Sequence, residues 1–304
     1  MNRSAPRSID QYLRQLREEL AGEDPALIQD ALYDAEEYLR AEVAAHPEKS
    51  EADILEIIAS TYGAPDEVAA AYRETETKVR AAMTTPLAKA PESAAGRFFS
   101  VYSDPRAYTA LFFMILSLAT GIIYFTFTVV GLSMSAGLAV LIVGVPFFLL
   151  FIGIARVISL AEGRLIEAMT GVRMPRRPPH PGAPAGFWSR VAAMLTDRRT
   201  WSTLLYLVLM LPLGIAYFVI AVVGLTVSMS LIFAPLVGLA GRLGILFAVD
   251  HVHMHVSPEW LDTVWALPLL FAAGVLLLTL LMHLSRAIGR LHAAYAKALL
   301  VTRG

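Results

Sequence analysis

Residues 107–155 read AYTALFFMILSLATGIIYFTFTVVGLSMSAGLAVLIVGVPFFLLFIGIA, which is 49 residues without a single Asp, Glu, Lys, Arg or His. A helix needs about 20 apolar residues to cross the hydrocarbon core of a bilayer. The run is therefore long enough for two spanning helices, and we place the turn between them at Gly131–Gly137. A soluble core does not account for an uncharged stretch of this length.

Two further runs continue the pattern. Residues 200–241 are free of charged and histidine residues, and residues 263–285 contain only His283. The sequence therefore predicts an all-α polytopic membrane domain with four spans, at about 107–132, 137–158, 202–227 and 263–285. Whether residues 229–249 form a re-entrant, interfacial or spanning helix stays open, although a fifth span would put the basic C-terminal tail on the outer side.

The N-terminal part differs in composition. Residues 1–96 contain 10 Lys/Arg against 19 Asp/Glu, a balance of −9, while the remainder has a balance of +8. Ser8, Asp24 and Ser50 each precede an apolar stripe with helical spacing, as helix caps do. We therefore predict a small cytosolic helical bundle over residues 1–80, a linker over 81–96 and a membrane domain over 97–304.

Arginine placement predicts the orientation. Basic residues lie beside the ends of the predicted spans that include residues 97–106, 156–199 and 286–303, and are nearly absent from the other ends. The positive-inside rule then places both termini in the cytoplasm and Ser228–Asp262 outside, in a bacterial inner membrane. An acidic soluble part argues against direct binding of nucleic acid.

The membrane domain contains an internal repeat. Residues 104–135 align without gaps on residues 197–228, with 14 of 32 positions identical. This alignment predicts two hairpins of the same design. The paired motif residues are Asp104 with Asp197, Arg106 with Arg199, Gly121 with Gly214, and Tyr124 with Tyr217.

One group of residues has metal-ligand character. His251, His253 and His255 alternate, so an extended strand would place three imidazoles on one face, where Zn or Cu could bind. The alternative is a polar extracytoplasmic loop with incidental histidines. His283 is interpreted as a helix contact. The chain has no Cys and no recognisable catalytic motif, so we expect no cofactor and no enzyme activity.

The second predicted helix carries several carboxylates: Asp34, Glu36, Glu37 and Glu42. Such residues usually form a solvated face. The alternative is an acidic docking surface, for which Glu36, Glu37 and Glu42 are the candidate contacts with a partner.

The N-terminal part resembles the HAAS-type signalling domain of bacterial membrane proteins. The similarity rests on residues 28–39 (IQDALYDAEEYL), 51–56 (EADILE), 63–69 (GAPDEVA) and Ala71-Tyr72. The remainder resembles the bacterial four-span sensor domain that is often fused to histidine kinases, through residues 211–218 (LPLGIAYF), the Asp197-x-Arg-x-Trp201 entry, and Arg156 and Arg286. These resemblances imply a cytosolic protein partner, with a transcriptional regulator as one possibility.

Taken together, these features favour a non-enzymatic membrane sensor. The four-span part would sense the bilayer or an extracytoplasmic cue, and the N-terminal domain would contact the cytosolic partner. Because no kinase-like region follows the last predicted span, we expect the output to come from the N-terminal domain. A small transporter or lipid-handling protein is the alternative, and a homo-oligomer is left open.

Overall fold

A computed structural model describes residues 5–83, 93–141, 143–177, 192, 194–242 and 265–301. Of these residues 87% are helical, and none of them lies in a strand. The predicted all-α fold is therefore confirmed. The histidines of the predicted metal site, His251, His253 and His255, lie outside the described residues.

Four helices form the N-terminal domain: α1 (Ile9–Glu19), α2 (Pro25–Ala45), α3 (Glu51–Thr61) and α4 (Pro65–Met83). Three of them begin at the predicted caps. The side chains of Ser8, Asp24 and Ser50 accept backbone N–H groups of the following turn at 3.2, 2.9 and 3.2 Å. These bonds satisfy donors that a helix N-terminus otherwise leaves unpaired.

The apolar stripes of these helices meet in one core. Tyr12, Leu16, Leu39 and Leu55 are among its fully buried side chains. The Tyr12 hydroxyl donates to the carbonyl of Gly63 at 2.8 Å, which connects α1 to the corner before α4. Gly63 has φ +115°, a conformation that L-residues with a Cβ rarely adopt, so the corner depends on glycine.

The membrane part begins with a short α5 (Ala94–Phe99) and a 3₁₀ turn (Ser100–Ser103). It continues with α6 (Pro105–Leu138), α7 (Gly144–Thr170), α8 (Arg198–Arg242) and α9 (Ala266–Leu300). Within the described residues, α6 to α9 are the four helices that are long and apolar enough to cross a membrane, with mean hydropathies of 2.1 to 2.5. The chain is a multi-pass membrane protein.

The predicted turn at Gly131–Gly137 is wrong, because α6 continues through it to Leu138. Small residues are tolerated inside membrane helices, where they allow close packing. The Ser135 hydroxyl donates to the carbonyl of Gly131 at 2.7 Å, and Gly131 lies against the ring of Phe151. The break comes instead before Gly144, whose Cα packs so closely on the Leu138 carbonyl that a Cβ would overlap it.

The helices also extend beyond the predicted spans. Helices α7 and α9 continue past residues 158 and 285, and residues 229–242 extend α8 without a break. The first charged residue marks the end of an apolar run, but helical hydrogen bonding continues past it. Likewise, α4 and α5 occupy both ends of the predicted linker.

The chain divides into two compact units. The first contains residues 1–88, 128–206 and 293–304, and the second contains residues 89–127 and 207–292. The N-terminal domain therefore shares a unit with α7, the first turns of α8 and the end of α9. Each unit is described by itself below.

Candidate functional site at the docking contact

Asp30 on α2 lies at the centre of the contact between the N-terminal domain and the segment that follows α7. Its Oδ1 accepts the backbone N–H groups of Arg176 and Arg177 at 2.8 and 2.9 Å. Its Oδ2 accepts from the guanidinium of Arg173 at 3.0 Å. Only 4% of Asp30 is exposed, so this carboxylate is satisfied entirely by groups from residues 173–177.

The segment is positioned by the end of α7. Gly171 ends the helix with φ +71°, the left-handed conformation common at helix C-termini. The chain then runs without regular structure through residues 172–177 and buries Met174 completely. Met174 packs next to Gly163, where a Cβ would lie 3.4 Å from the methionine Cβ. We call residues 171–177 the docking segment.

Further polar pairs surround Asp30. Arg173 also pairs with Glu76 on α4, and Arg177 pairs with Asp34 at 2.9 Å while its guanidinium lies 5.7 Å from the centre of the Tyr33 ring. At the end of α9, Lys297 pairs with Asp24, the cap of α2, at 2.5 Å. The N-terminal domain is therefore held by contacts to both α9 and the docking segment.

Gln29 connects the docking segment to α8. Its amide donates to the carbonyl of Arg177 at 2.6 Å, and its oxygen accepts from the guanidinium of Arg199 at 3.2 Å. Arg199 belongs to the first turn of α8, so one side chain of the N-terminal domain contacts both membrane-domain elements.

Burial dominates the electrostatics of Asp30. It raises the pKa of the carboxyl above its ordinary value, although the N–H groups of Arg176 and Arg177 and the charge of Arg173 act in the opposite direction. The hydrogen bond and charge of Glu167 raise the pKa of Arg176 despite its partial burial. The site therefore combines a costly buried charge with several partners that compensate it.

The repeat motif residues make the same local bonds in both copies. Asp104 and Asp197 each cap their own helix through Oδ1, accepting the N–H of Arg106 and of Arg199, both at 3.0 Å. The polar groups of Tyr108 and Trp201, which also correspond, each donate to the carbonyl six residues earlier, at 3.0 and 2.8 Å. Positions 93 residues apart thus share their geometry.

The remaining carboxylate oxygen of each Asp binds an arginine on the second helix of the other hairpin. Asp104 pairs with Arg286 of α9 at 3.0 Å, and Asp197 pairs with Arg156 of α7 at 3.3 Å. We call these the two Asp–Arg pairs. All four residues stand out in the sequence, but nothing in the sequence indicates which aspartate meets which arginine.

The motif glycines lie where backbones touch. A Cβ at Gly121 would lie 2.6 Å from the carbonyl oxygen of Met210, and one at Gly214 would overlap the carbonyl oxygen of Ser117. Residues 117 and 210 are themselves 93 apart, so the two contacts are reciprocal. The motif tyrosines differ in detail: the Tyr217 hydroxyl lies 3.5 Å from His292 Nδ1, and Tyr124 is half-buried.

Comparison with protein families yields one match. The family described as "Putative sensor" matches residues 113–300, more than half of the chain. The chain belongs to this sensor family. No curated protein and no solved structure matches the chain.

The structure changes the interpretation of the acidic residues on α2. Glu36 is 2% exposed and pairs with Arg40 at 2.6 Å, so it lies on neither a solvated face nor an accessible docking face. Asp34 is also not simply solvated, because Tyr72 donates to it and Arg177 pairs with it. Glu37 is exposed, and Glu42 lies 3.9 Å from His46.

The histidine predictions have separate outcomes. In the described ranges, no group of three His, Asp or Glu could hold a metal ion, and the 251–255 run lies outside these ranges. The Nε2 atom of His283 donates to the Phe98 carbonyl at 2.9 Å, and the imidazole stacks on the Phe98 ring. His283 is therefore the helix contact that the sequence predicted.

Two buried polar residues are not among the predicted site residues. Glu162 is 1% exposed and accepts from the Tyr206 hydroxyl at 3.0 Å. His292 is also 1% exposed and lies beside the rings of Phe113 and Tyr217. Both residues lie beyond the ends of the predicted spans. Apolar residues continue at helical spacing past Arg156 and Arg286, and this spacing indicates that the helices extend to Glu162 and His292.

Proposed function

We propose that this protein is a non-enzymatic membrane sensor that signals by docking and releasing its N-terminal domain. The observation that carries the proposal is the recognition of residues 173–177 by Asp30. Sensor family membership supports a sensing role for the membrane helices. The docking contact is the physical connection through which these helices would act on the soluble domain.

The strength of the contact fits a reversible arrangement. The Asp34–Arg177 pair is one-third to one-half exposed, and pairs of this kind contribute about 0–1 kcal/mol each. The Asp30–Arg173 pair is nearly buried, and removing one partner of such a pair typically costs about 3–5 kcal/mol. A contact made of one strong ion pair and several weak ones can be released by a modest movement of residues 173–177.

We propose that residues 1–80 are a HAAS-type domain with a cytosolic protein partner, such as a transcriptional regulator, and that both termini are cytoplasmic. We also propose that the two hairpins arose by duplication, because corresponding residues share caps, Asp–Arg pairs and glycine contacts. In the docked state, Asp30 and Asp34 are occupied, so a partner would compete with the docking segment or bind elsewhere, for example near Glu37.

Thiol crosslinking tests the docking step directly, because the chain has no native cysteine. Asp24→Cys with Lys297→Cys should be joined by a short bifunctional maleimide in the full-length protein in membranes. Adding Asp30→Arg, which places a cation against Arg173, should reduce the crosslinked fraction at least tenfold. Adding Glu37→Arg makes the same charge change at an exposed position of α2 and should leave the crosslink unchanged.

A signalling readout separates a switch from a permanent structural contact. Transcript profiles of the native host carrying Asp30→Arg should differ from those of wild type and of Glu56→Arg, which makes the same charge change at an exposed position of α3. Identical profiles, despite lost crosslinking, would contradict signalling by release. Saturable solute transport by the purified protein in liposomes would instead favour the transporter alternative.

A further inference from the structure

Arg176 and Arg177 lie close to the first turn of α8. Gln29 contacts both the Arg177 carbonyl and the guanidinium of Arg199, so the docking segment is within one glutamine side chain of the first turn of a spanning helix. Trp201, in the same turn, is 51% exposed, as expected for an aromatic residue at a membrane surface. We therefore expect the docking segment to lie next to the lipid headgroups.

The arginines of the docking segment fall into two classes. Arg173 is 12% exposed and enclosed by Asp30 and Glu76. Arg176 and Arg177 are 45% and 51% exposed, and each has one carboxylate partner, Glu167 and Asp34. Their side chains are thus open to other anions, while their backbone N–H groups hold Asp30.

We infer that anionic phospholipid headgroups compete with Glu167 and Asp34 for Arg176 and Arg177, and thereby release the N-terminal domain. This inference rests on the proposed function and names its regulator. Guanidinium groups bind phosphate oxygens through paired hydrogen bonds, and juxtamembrane basic residues are attracted to anionic leaflets. A lipid that takes these two side chains displaces the backbone groups on which Asp30 depends.

The net negative charge of the N-terminal domain also favours its release next to anionic lipid. With 19 acidic and 10 basic residues among the first 96, the domain is repelled by a negatively charged surface. Anionic lipid therefore attracts the docking segment and repels its partner. Neutral lipid does neither, so docking should be strongest in a neutral bilayer.

The test uses full-length protein in nanodiscs. Spin labels on Glu37→Cys and Ala168→Cys, both exposed, report docked and released populations by pulsed dipolar spectroscopy. Replacing phosphatidylcholine with about 40% phosphatidylglycerol should lower the docked-to-released ratio about tenfold. Arg176→Gln with Arg177→Gln should abolish this lipid dependence, and the single Arg177→Gln should reduce it. The matched control Arg164→Gln changes an exposed α7 arginine that forms none of the described ion pairs, and it should retain the lipid dependence.

The outcomes separate the two proposals. If Asp30→Arg releases the domain in neutral nanodiscs but phosphatidylglycerol does not change the wild type, the lipid inference is wrong and docking stands. If Asp30→Arg shows no release, the proposed function itself is wrong. If inorganic phosphate at matched charge concentration releases the domain in neutral nanodiscs as well as the lipid does, the effector is a soluble anion and the lipid inference is overturned. Lipid dependence that persists after both arginines are replaced also overturns it.

Discussion

The two hairpins share a scaffold but differ in what they hold. In one, Asp104 caps α6 and pairs with Arg286; in the other, Asp197 caps α8 and pairs with Arg156. Both hairpins contact the N-terminal domain: Arg199 and Lys297 belong to the Asp197 hairpin, and the docking segment follows α7 of the Asp104 hairpin. The repeated residues build the helical scaffold, whereas residues outside the alignment, above all 171–177, make the docking contact.

The contrast is sharpest at the paired motif arginines. Arg106 is exposed, and its backbone N–H is used only in the cap of its helix. Arg199, its counterpart, makes the same cap contact and also directs its guanidinium to Gln29. The same cap geometry is thus accompanied by an additional side-chain contact at Arg199.

The largest expected effect comes from removing the charge at the centre of the docking contact. Arg173→Gln leaves Asp30 and Glu76 without their common cation, so docking should weaken by about 3 kcal/mol, more than a hundredfold in the docking equilibrium. The maleimide crosslink between positions 24 and 297 measures the loss. Arg286→Gln removes the arginine that pairs with Asp104 and should leave the crosslink intact; equal loss in both variants would refute the assignment of docking to residues 173–177.

The next largest effect tests whether the two hairpins pack in the same way at their motif glycines. Gly214→Ala and Gly121→Ala both place a methyl group against a carbonyl oxygen, so each should destabilise the membrane domain by about 2–3 kcal/mol. Gly153→Ala, whose added methyl group would meet no atom within 4 Å, should be neutral or slightly stabilising. Unfolding in mixed micelles with increasing SDS measures the stability of the three variants. Markedly unequal losses of stability at positions 121 and 214 would show that the two hairpins do not pack alike.

Local patterns made much of this fold predictable. Caps such as Ser8 and the four long apolar helices depend on residues close in sequence, and both appeared as expected. The turn at Gly131–Gly137 was misplaced because glycine signals a turn in water but close packing in a membrane helix. The docking contact was hidden because Asp30 and Arg176 are 146 residues apart, and charge alone does not determine which pairs form.

A smaller effect concerns the two Asp–Arg pairs. Asp104→Asn and Asp197→Asn keep a side chain that caps helices well but remove the charge that binds arginine. Because the paired side chains are about one-third exposed, each variant should lose only about 0.5–1 kcal/mol. Double-mutant cycles with Arg286→Gln and Arg156→Gln measure each pair. A coupling energy near zero in one half and not in the other would show that the halves use their aspartates differently.

The smallest effect is the pH dependence contributed by Asp30. Burial raises its pKa in the docked state above the released value, so the docked state binds a proton more tightly. The resulting gain in docking is full below the released pKa and is lost as pH rises through the raised docked pKa. Asp30→Asn still offers an oxygen to the N–H groups of Arg176 and Arg177, and Glu76 remains as a counterion for Arg173. Its amide nitrogen, however, would face the guanidinium of Arg173 where Oδ2 now accepts, so docking at neutral pH should weaken by about 1–3 kcal/mol.

Titration from neutral pH to just below the ordinary aspartate pKa, about 3.9, compares the two proteins. The docked population of wild type should increase more on acidification than that of Asp30→Asn, because only the wild type can take up a proton at this position. Other carboxylates titrate in both proteins, so their contribution cancels in the difference between the curves. Parallel curves would show that Asp30 keeps the same pKa in both states. In that case its charge would be fully compensated by Arg173 and the two N–H groups, and burial would not be the dominant influence at the docking contact.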